Sequence, residues 1–208
     1  MSALRIRRRA SERGQGLVEF AIILPILMVL LLGLVEFGFI FQNHQGLEYA
    51  TREGARTASA LANGQNGQNG QPFATTCSTI DNQVIAAVQR VVTSKGSPVT
   101  VANITRIRIY KYDDATQAPD PSFINVWTPG VGPTADGGAV TASNPALKFK
   151  QTGGSWNPCL RLNGSTPDVV GVDLTYSYQM TTALGALLKW TGANVLAMND
   201  ATVMVLNP

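Results

Sequence analysis

Arg13-Gly-Gln-Gly-Leu-Val-Glu-Phe20, followed by an apolar run that continues to Phe41, is the stretch on which the fold turns. A basic leader ends in glycine, a glutamate stands five residues further on, and from Leu17 to Phe41 the only charges are Glu19 and Glu36. A run of about 20 apolar residues crosses a bilayer as a helix, so this segment is long enough to span one. A cleaved secretory signal has a shorter apolar core with its small-residue site behind it. Here the glycine lies in front of the core.

Charge follows the same division. The formal net charge is +3, but Arg5, Arg7, Arg8, Arg9 and Arg13 stand against Glu12 alone in the first fourteen residues. The rest of the chain is close to neutral, so the basic balance describes the leader and not a nucleic-acid surface. No basic patch with interleaved aromatics follows, and no nucleic-acid partner is expected. Arginines ahead of a membrane span hold that end in the cytoplasm. The larger remainder is then expected on the far side, with the lipid bilayer as the first partner.

The two cysteines, Cys77 and Cys159, both lie beyond the span. In an oxidising compartment an isolated pair most simply forms a disulfide, with two unrelated buried thiols as the alternative.

Working outward, Leu17 to Ala62 has few breakers and reads as one long helix, with Pro25 expected to kink it by removing a backbone hydrogen bond. Its second half changes character. Leu47, Ala50, Gly54, Ala58 and Leu61 recur at steps of three and four, a narrow face of mostly small residues suited to lie under a globular head. Asn63 to Pro72 (NGQNGQNGQP) has no apolar face and reads as a flexible connector. Ile80 to Thr93 is expected as a helix with Val84, Ile85, Val88, Val91 and Val92 inward and Ser78 or Thr79 as its cap. Val99–Tyr112 alternates as a strand, with Arg106, Arg108, Tyr110 and Tyr112 against Ile107, Ile109 and Lys111. Asp113–Asn144 reads as an irregular excursion with a short strand at Ile124–Trp127. Strands are also expected at Ala146–Lys150, Val169–Met180 and Ala201–Leu206. Ala183–Trp190 reads as a short helix or membrane-proximal turn. Strands grouped after helices predict an α+β head with an antiparallel sheet. The expected division is a leader over 1–14, a long helix over 15–62 with its membrane part at 17–41, a connector over 63–72, and an extracytoplasmic head over 73–208.

These features together resemble the TadE-like proteins, pilin-related subunits of the tight-adherence (Flp, type IVb) pilus system of bacteria. The residues that carry the resemblance are Gly14-Gln-Gly-Leu-Val-Glu-Phe20, Pro25, Gly33-Leu-Val-Glu-Phe-Gly38 and Glu48-Tyr-Ala-Thr-Arg-Glu-Gly-Ala-Arg-Thr57. The resemblance implies a pilin-like (pseudopilin) architecture and a precursor in the bacterial inner membrane. A prepilin peptidase would cut it between Gly14 and Gln15. The mature subunit would join other pilin-like subunits and the pilus assembly platform, and it could end in an extracellular pilus. Glu19 becomes the fifth residue of that mature chain. A carboxylate inside an apolar span costs roughly 2.5–3.5 kcal/mol if central. Pairing with the new α-amino group at Gln15, its own or a neighbour's, lowers that cost, and the second pairing would set axial register. The alternative is a shallow Glu19 at the interface with no role.

Catalytic chemistry has little support in the sequence. There is one histidine, His44, and the distant cysteine pair offers no zinc spacing. No phosphate loop, nucleophile elbow or HExxH helix occurs. Asp113, Asp114 and Asp120 lack the regular spacing of a calcium loop. A non-enzymatic subunit without cofactor or metal is therefore expected. The competing reading is a bitopic membrane protein that keeps its leader and carries a binding or scaffold domain outside.

Overall fold

The computed structural model describes residues 9–61, 77–162 and 166–206, with side chains from Gly14 onward. The connector expected over 63–72 lies outside the described residues. Helix α1 (Arg9–Ala60) is one element and runs through Pro25. Helix α2 spans Ile80–Val92 and α3 spans Ala183–Leu188. Five strands follow in chain order: β1 (Ile104–Asp113), β2 (Ala118–Pro129), β3 (Phe149–Gly154), β4 (Val169–Gln179) and β5 (Val195–Val205). They form one antiparallel sheet in the order β3-β2-β1-β4-β5. The architecture is thus α+β, a long apolar N-terminal helix and a head built on an antiparallel sheet.

The chain divides into two compact units, one of residues 1–40 with 179–195, the other of residues 41–178 with 196–208.

In the larger unit the central strands carry the core. Val170, Val172, Leu174, Tyr176 and Tyr178 of β4 are all buried, as their alternation predicts. Ile107 pairs with Leu174 and Ile109 with Val172, so β1 and β4 offer one continuous apolar face. Trp127 of β2 pairs with Ile107 and extends that face. Both helices lie on it. A Cβ at Gly54 would stand 2.7 Å from Val88 of α2 and 3.2 Å from Val172 of β4, so the missing side chain is what lets α1 approach both. Leu47, Ala50, Ala55 and Ala58 are buried beside it, with Thr51, whereas Leu61 is half-buried. Thr51 Oγ1 also bonds Asp200 and Thr202, and Ser59 Oγ donates to the Val205 carbonyl at 2.6 Å, tying β5 to α1.

Several elements differ from the sequence expectation: β3 covers Phe149–Gly154 and not Ala146–Lys150, and β5 begins at Val195, six residues before the expected Ala201. The strand expected from Val99 begins only at Ile104, because a 3-10 turn occupies Val101–Asn103. The short strand expected at Ile124–Trp127 is the twelve-residue β2, which starts before Pro119 and Pro121. Proline cannot donate to a ladder and is tolerated on an edge. Pro119 pairs with Tyr112 of β1, Pro121 lies in the irregular stretch between the paired residues Pro119 and Ile124, and neither has a partner in β3, whose ladder begins at Asn125. Thr79 is the N-cap of α2, yet its side chain makes no capping hydrogen bond.

Candidate functional site

In the smaller unit, the most apolar eighteen-residue window of α1 has mean hydropathy 2.8 and none of it is buried. A core helix of similar composition would be covered by protein, so this one is a candidate membrane span. Gly14, Gln15 and Glu19 all lie exposed on its N-terminal part, and nothing stands within 4 Å of where a Cβ on Gly14 would sit. Helical backbone begins upstream, at Arg9, so Gly14 and Gln15 stand within the helix.

Glu36 behaves otherwise. The sequence places it near the far interface, where a carboxylate is cheap, with helix–helix contact as the second reading. In the structure it is only 2% exposed. Its carboxylate accepts from the Thr181 backbone N–H at 3.2 Å, the Thr182 N–H at 3.0 Å and Thr182 Oγ1 at 2.5 Å. Thr182 is the N-cap of α3, and its hydroxyl oxygen accepts from the Leu184 N–H at 3.3 Å. The loop between β4 and β5 is therefore bonded to the anchor helix at Glu36.

In the larger unit, Cys77 and Cys159 form a disulfide that joins the turn before α2 to the turn at Pro158–Leu160. Next to it lies a buried polar cluster. Arg161 is 1% exposed; its Nη2 stands 2.6 Å from Asp81 Oδ1 and its guanidinium lies 4.1 Å from the centre of the Trp156 ring. No guanidinium hydrogen is aligned on the Asp81 oxygen, so the contact is a close charge pair and not a directed hydrogen bond. Asn125 completes the cluster. Its Nδ2 donates to Asp81 Oδ2 at 2.6 Å and to the Trp156 carbonyl at 2.7 Å, and its Oδ1 accepts from the Trp156 N–H at 3.0 Å. An open cavity of about 220 Å³ borders this cluster, lined by Ser78, Asp81, Asn125, Gln151 and Asn157 among others. The side-chain amide of Asn125 thus holds β2, α2 and the 156–161 segment together as a structural clasp.

The outer sheet face carries a second ion pair. Arg108 Nε donates to Asp173 Oδ2 at 2.7 Å, and this bond raises the Arg108 pKa. Tyr110, beside it, covers Gly171, where any side chain would collide with the ring. Burial, reinforced by the Asp173 charge, pushes the Tyr110 phenol up to about 12. Two of the aspartates weighed as calcium ligands, Asp113 and Asp120, serve as turn caps. Asp113 accepts from the Ala115 N–H and Thr116 Oγ1, which lowers its pKa, and Asp120 accepts from the Ser122 N–H. Among the described residues no three or more His, Cys, Asp and Glu side chains gather as a metal site. His44 is exposed on α1.

The disulfide has a measurable consequence. It closes a loop over a sequence separation of 82 residues. In the chain-entropy account a loop of that size stabilises by about 4 kcal/mol. Replacing both cysteines by alanine is expected to lower the unfolding free energy of the head by about that amount. Denaturant titration of the full chain in detergent, followed by the fluorescence of buried Trp127 and Trp156, measures it. An unchanged midpoint would contradict it.

A candidate membrane-spanning helix and an α+β head in one chain suggest the class: a membrane-anchored protein. Comparison with protein families is more specific. The model of the TadE-like protein family matches residues 14–56, the stretch from the glycine through the span to the buried face under the sheet. This bears out the resemblance read in the sequence over those residues. No curated protein and no solved structure matches the chain.

Proposed function

We propose that the chain is a minor pilin-like assembly subunit of a tight-adherence (type IVb) pilus, processed by a prepilin peptidase after Gly14 and acting without catalysis or cofactor. The observation that carries this reading is the Gly14-to-Glu19 spacing at the head of an apolar helix that no protein covers, within the TadE-like match. The leader arginines hold the N-terminus in the cytoplasm and send the head outward. Gly14 and Gly16 weaken the helix at the cut, since each glycine costs about 1 kcal/mol relative to alanine. A peptidase can therefore unwind that turn at low cost. The freed α-amino group at Gln15 lies one helical turn from Glu19, within reach of its carboxylate in the same subunit or of a neighbour's. The partners of this reading are the peptidase, sister pilin-like subunits, the assembly platform and the bilayer.

A bitopic protein that keeps its leader is the competing reading, and one observation favours it: α1 continues unbroken from Arg9 through the proposed cut. The two separate on one variant. Gly14→Ala keeps the span and the head but adds a side chain at the cut, and it strengthens the helix there. It is expected to accumulate as the uncut precursor in cells with an active peptidase, visible as slower gel mobility than the parent protein. Parent and variant migrating together, both at full length, would support the bitopic reading. Both at the shorter length would place the cut elsewhere.

A further inference from the structure

We propose that the loop between β4 and β5, residues 179–195, is a second membrane contact that lies in the outer interface of the bilayer and is held there by Glu36. The proposal rests on the anchor reading of α1 and not on processing or pilus assembly.

Three observations converge on lipid as the occupant. The first is depth. Glu36 lies seventeen residues beyond Glu19, about 25 Å along a helix axis. A bilayer's hydrocarbon core is about 30 Å thick, so with Glu19 at the inner boundary, Glu36 lies close to the outer one. A carboxylate in that zone is cheap while solvated, but Glu36 is 2% exposed and so requires hydrogen-bond donors. Thr181 and Thr182 supply donors, and by doing so they bring the start of α3 to the same level.

The second is composition. From Gln179 to Asn199 the only charge is Lys189. Leu187 is exposed and Trp190 is 84% exposed, while Trp127 and Trp156 are buried. A tryptophan with a neighbouring lysine is the pair that membrane interfaces favour: the indole sits at headgroup level and the ammonium reaches the lipid phosphates.

The third is continuity. Leu34, Val35 and Phe37 on α1, which flank Glu36, are exposed apolar side chains of the same unit. Exposed apolar side chains on both a candidate span and a loop hydrogen-bonded to it fit one bilayer better than a separate soluble partner. The β4–β5 hairpin is closed at its base by the Met180 N–H to the Asn194 carbonyl at 2.9 Å, so the loop is a defined structure and not a frayed strand end. Within the loop the Gly185 and Ala186 N–H groups bond the Thr182 carbonyl and the Gly192 N–H bonds the Lys189 carbonyl, which lowers the cost of entering a less polar medium.

The test uses the full chain reconstituted in phosphatidylcholine vesicles, with dibrominated phosphatidylcholine as the lipid quencher and iodide as the aqueous one. Trp190→Phe gives the background from the two buried tryptophans. The expected result is a fluorescence component quenched by brominated lipid, shielded from iodide and absent in Trp190→Phe. Glu36→Ala is expected to remain with the vesicles on flotation but to lose much of that component, with a gain in iodide quenching. Iodide quenching of Trp190 in the parent protein would overturn the proposal. Shielding from both quenchers would overturn it too, by showing that protein, such as a second copy, covers the loop. The full lipid-quenched component in Glu36→Ala would overturn the role of Glu36. If the chain fails to float with vesicles, the anchor reading itself fails, a result distinct from the others.

Discussion

Asp81→Ala is expected to destabilise the head unit by about 3–5 kcal/mol, because it leaves a buried guanidinium without its counter-charge. Arg161 is 1% exposed and, apart from Asp81, faces the Trp156 ring. The same substitution removes an acceptor from Asn125, whose amide bonds hold β2 against the 156–161 segment. Arg161→Met in the Asp81→Ala background is expected to recover much of the loss, since a packed apolar pair often matches a buried ion pair. Chemical denaturation of the parent, both single variants and the double variant closes the cycle. A cost for Asp81→Ala below about 1 kcal/mol, the scale of an exposed pair, would mean that Arg161 reaches water and that the clasp is superficial.

Glu19→Ala is expected to leave the protein in the membrane and to prevent its incorporation into pili. Alanine removes a carboxylate whose burial costs roughly 2.5–3.5 kcal/mol at the centre of a span, so insertion becomes no harder. What is lost is the partner for the α-amino group of a neighbouring subunit. An ammonium left unpaired in the apolar bundle carries a penalty of similar size, which corresponds to a fall on the order of 100-fold in the incorporation equilibrium. Membrane fractionation checks the first half, and the subunit content of sheared pili together with adherence checks the second. Unchanged pili and adherence would refute the register role of Glu19.

The parts of the fold that were legible in the sequence are those set by local pattern. The candidate span is a matter of length and charge, and α1 shows it as an apolar helix that no protein covers. The small-residue face at Leu47, Ala50, Gly54 and Ala58 is helical spacing, and the structure shows its purpose in the approach of Gly54 to Val88 and Val172. The β4 alternation is strand spacing and gives the central strand. The Cys77–Cys159 bond follows from compartment once the span is read. What escaped depends on contacts between distant residues. Glu36 meets Thr181 across 145 positions, and Asn125 meets Asp81 across 44. A carboxylate in an apolar run signals that some partner exists, but no local rule says which. The adjacent Thr181-Thr182 before a nearly uncharged stretch is the signal that could have pointed to it. β2 extends through two prolines, which argue against a strand, and only the sheet order reveals that they have no partner in β3. Arg161 lies between the strands, where no periodicity marks a residue as buried.

Proteolytic maturation at Gly14 is the claim on which the functional account depends, and one measurement tests it most directly. The protein is extracted from membranes of cells with and without a prepilin peptidase, and its intact mass and N-terminal residue are determined. The account predicts a mature chain that begins at Gln15 only where the peptidase is present. A chain that begins at Met1 or Ser2 in both samples, with the peptidase active on another substrate, would contradict it and establish a bitopic protein that keeps its leader.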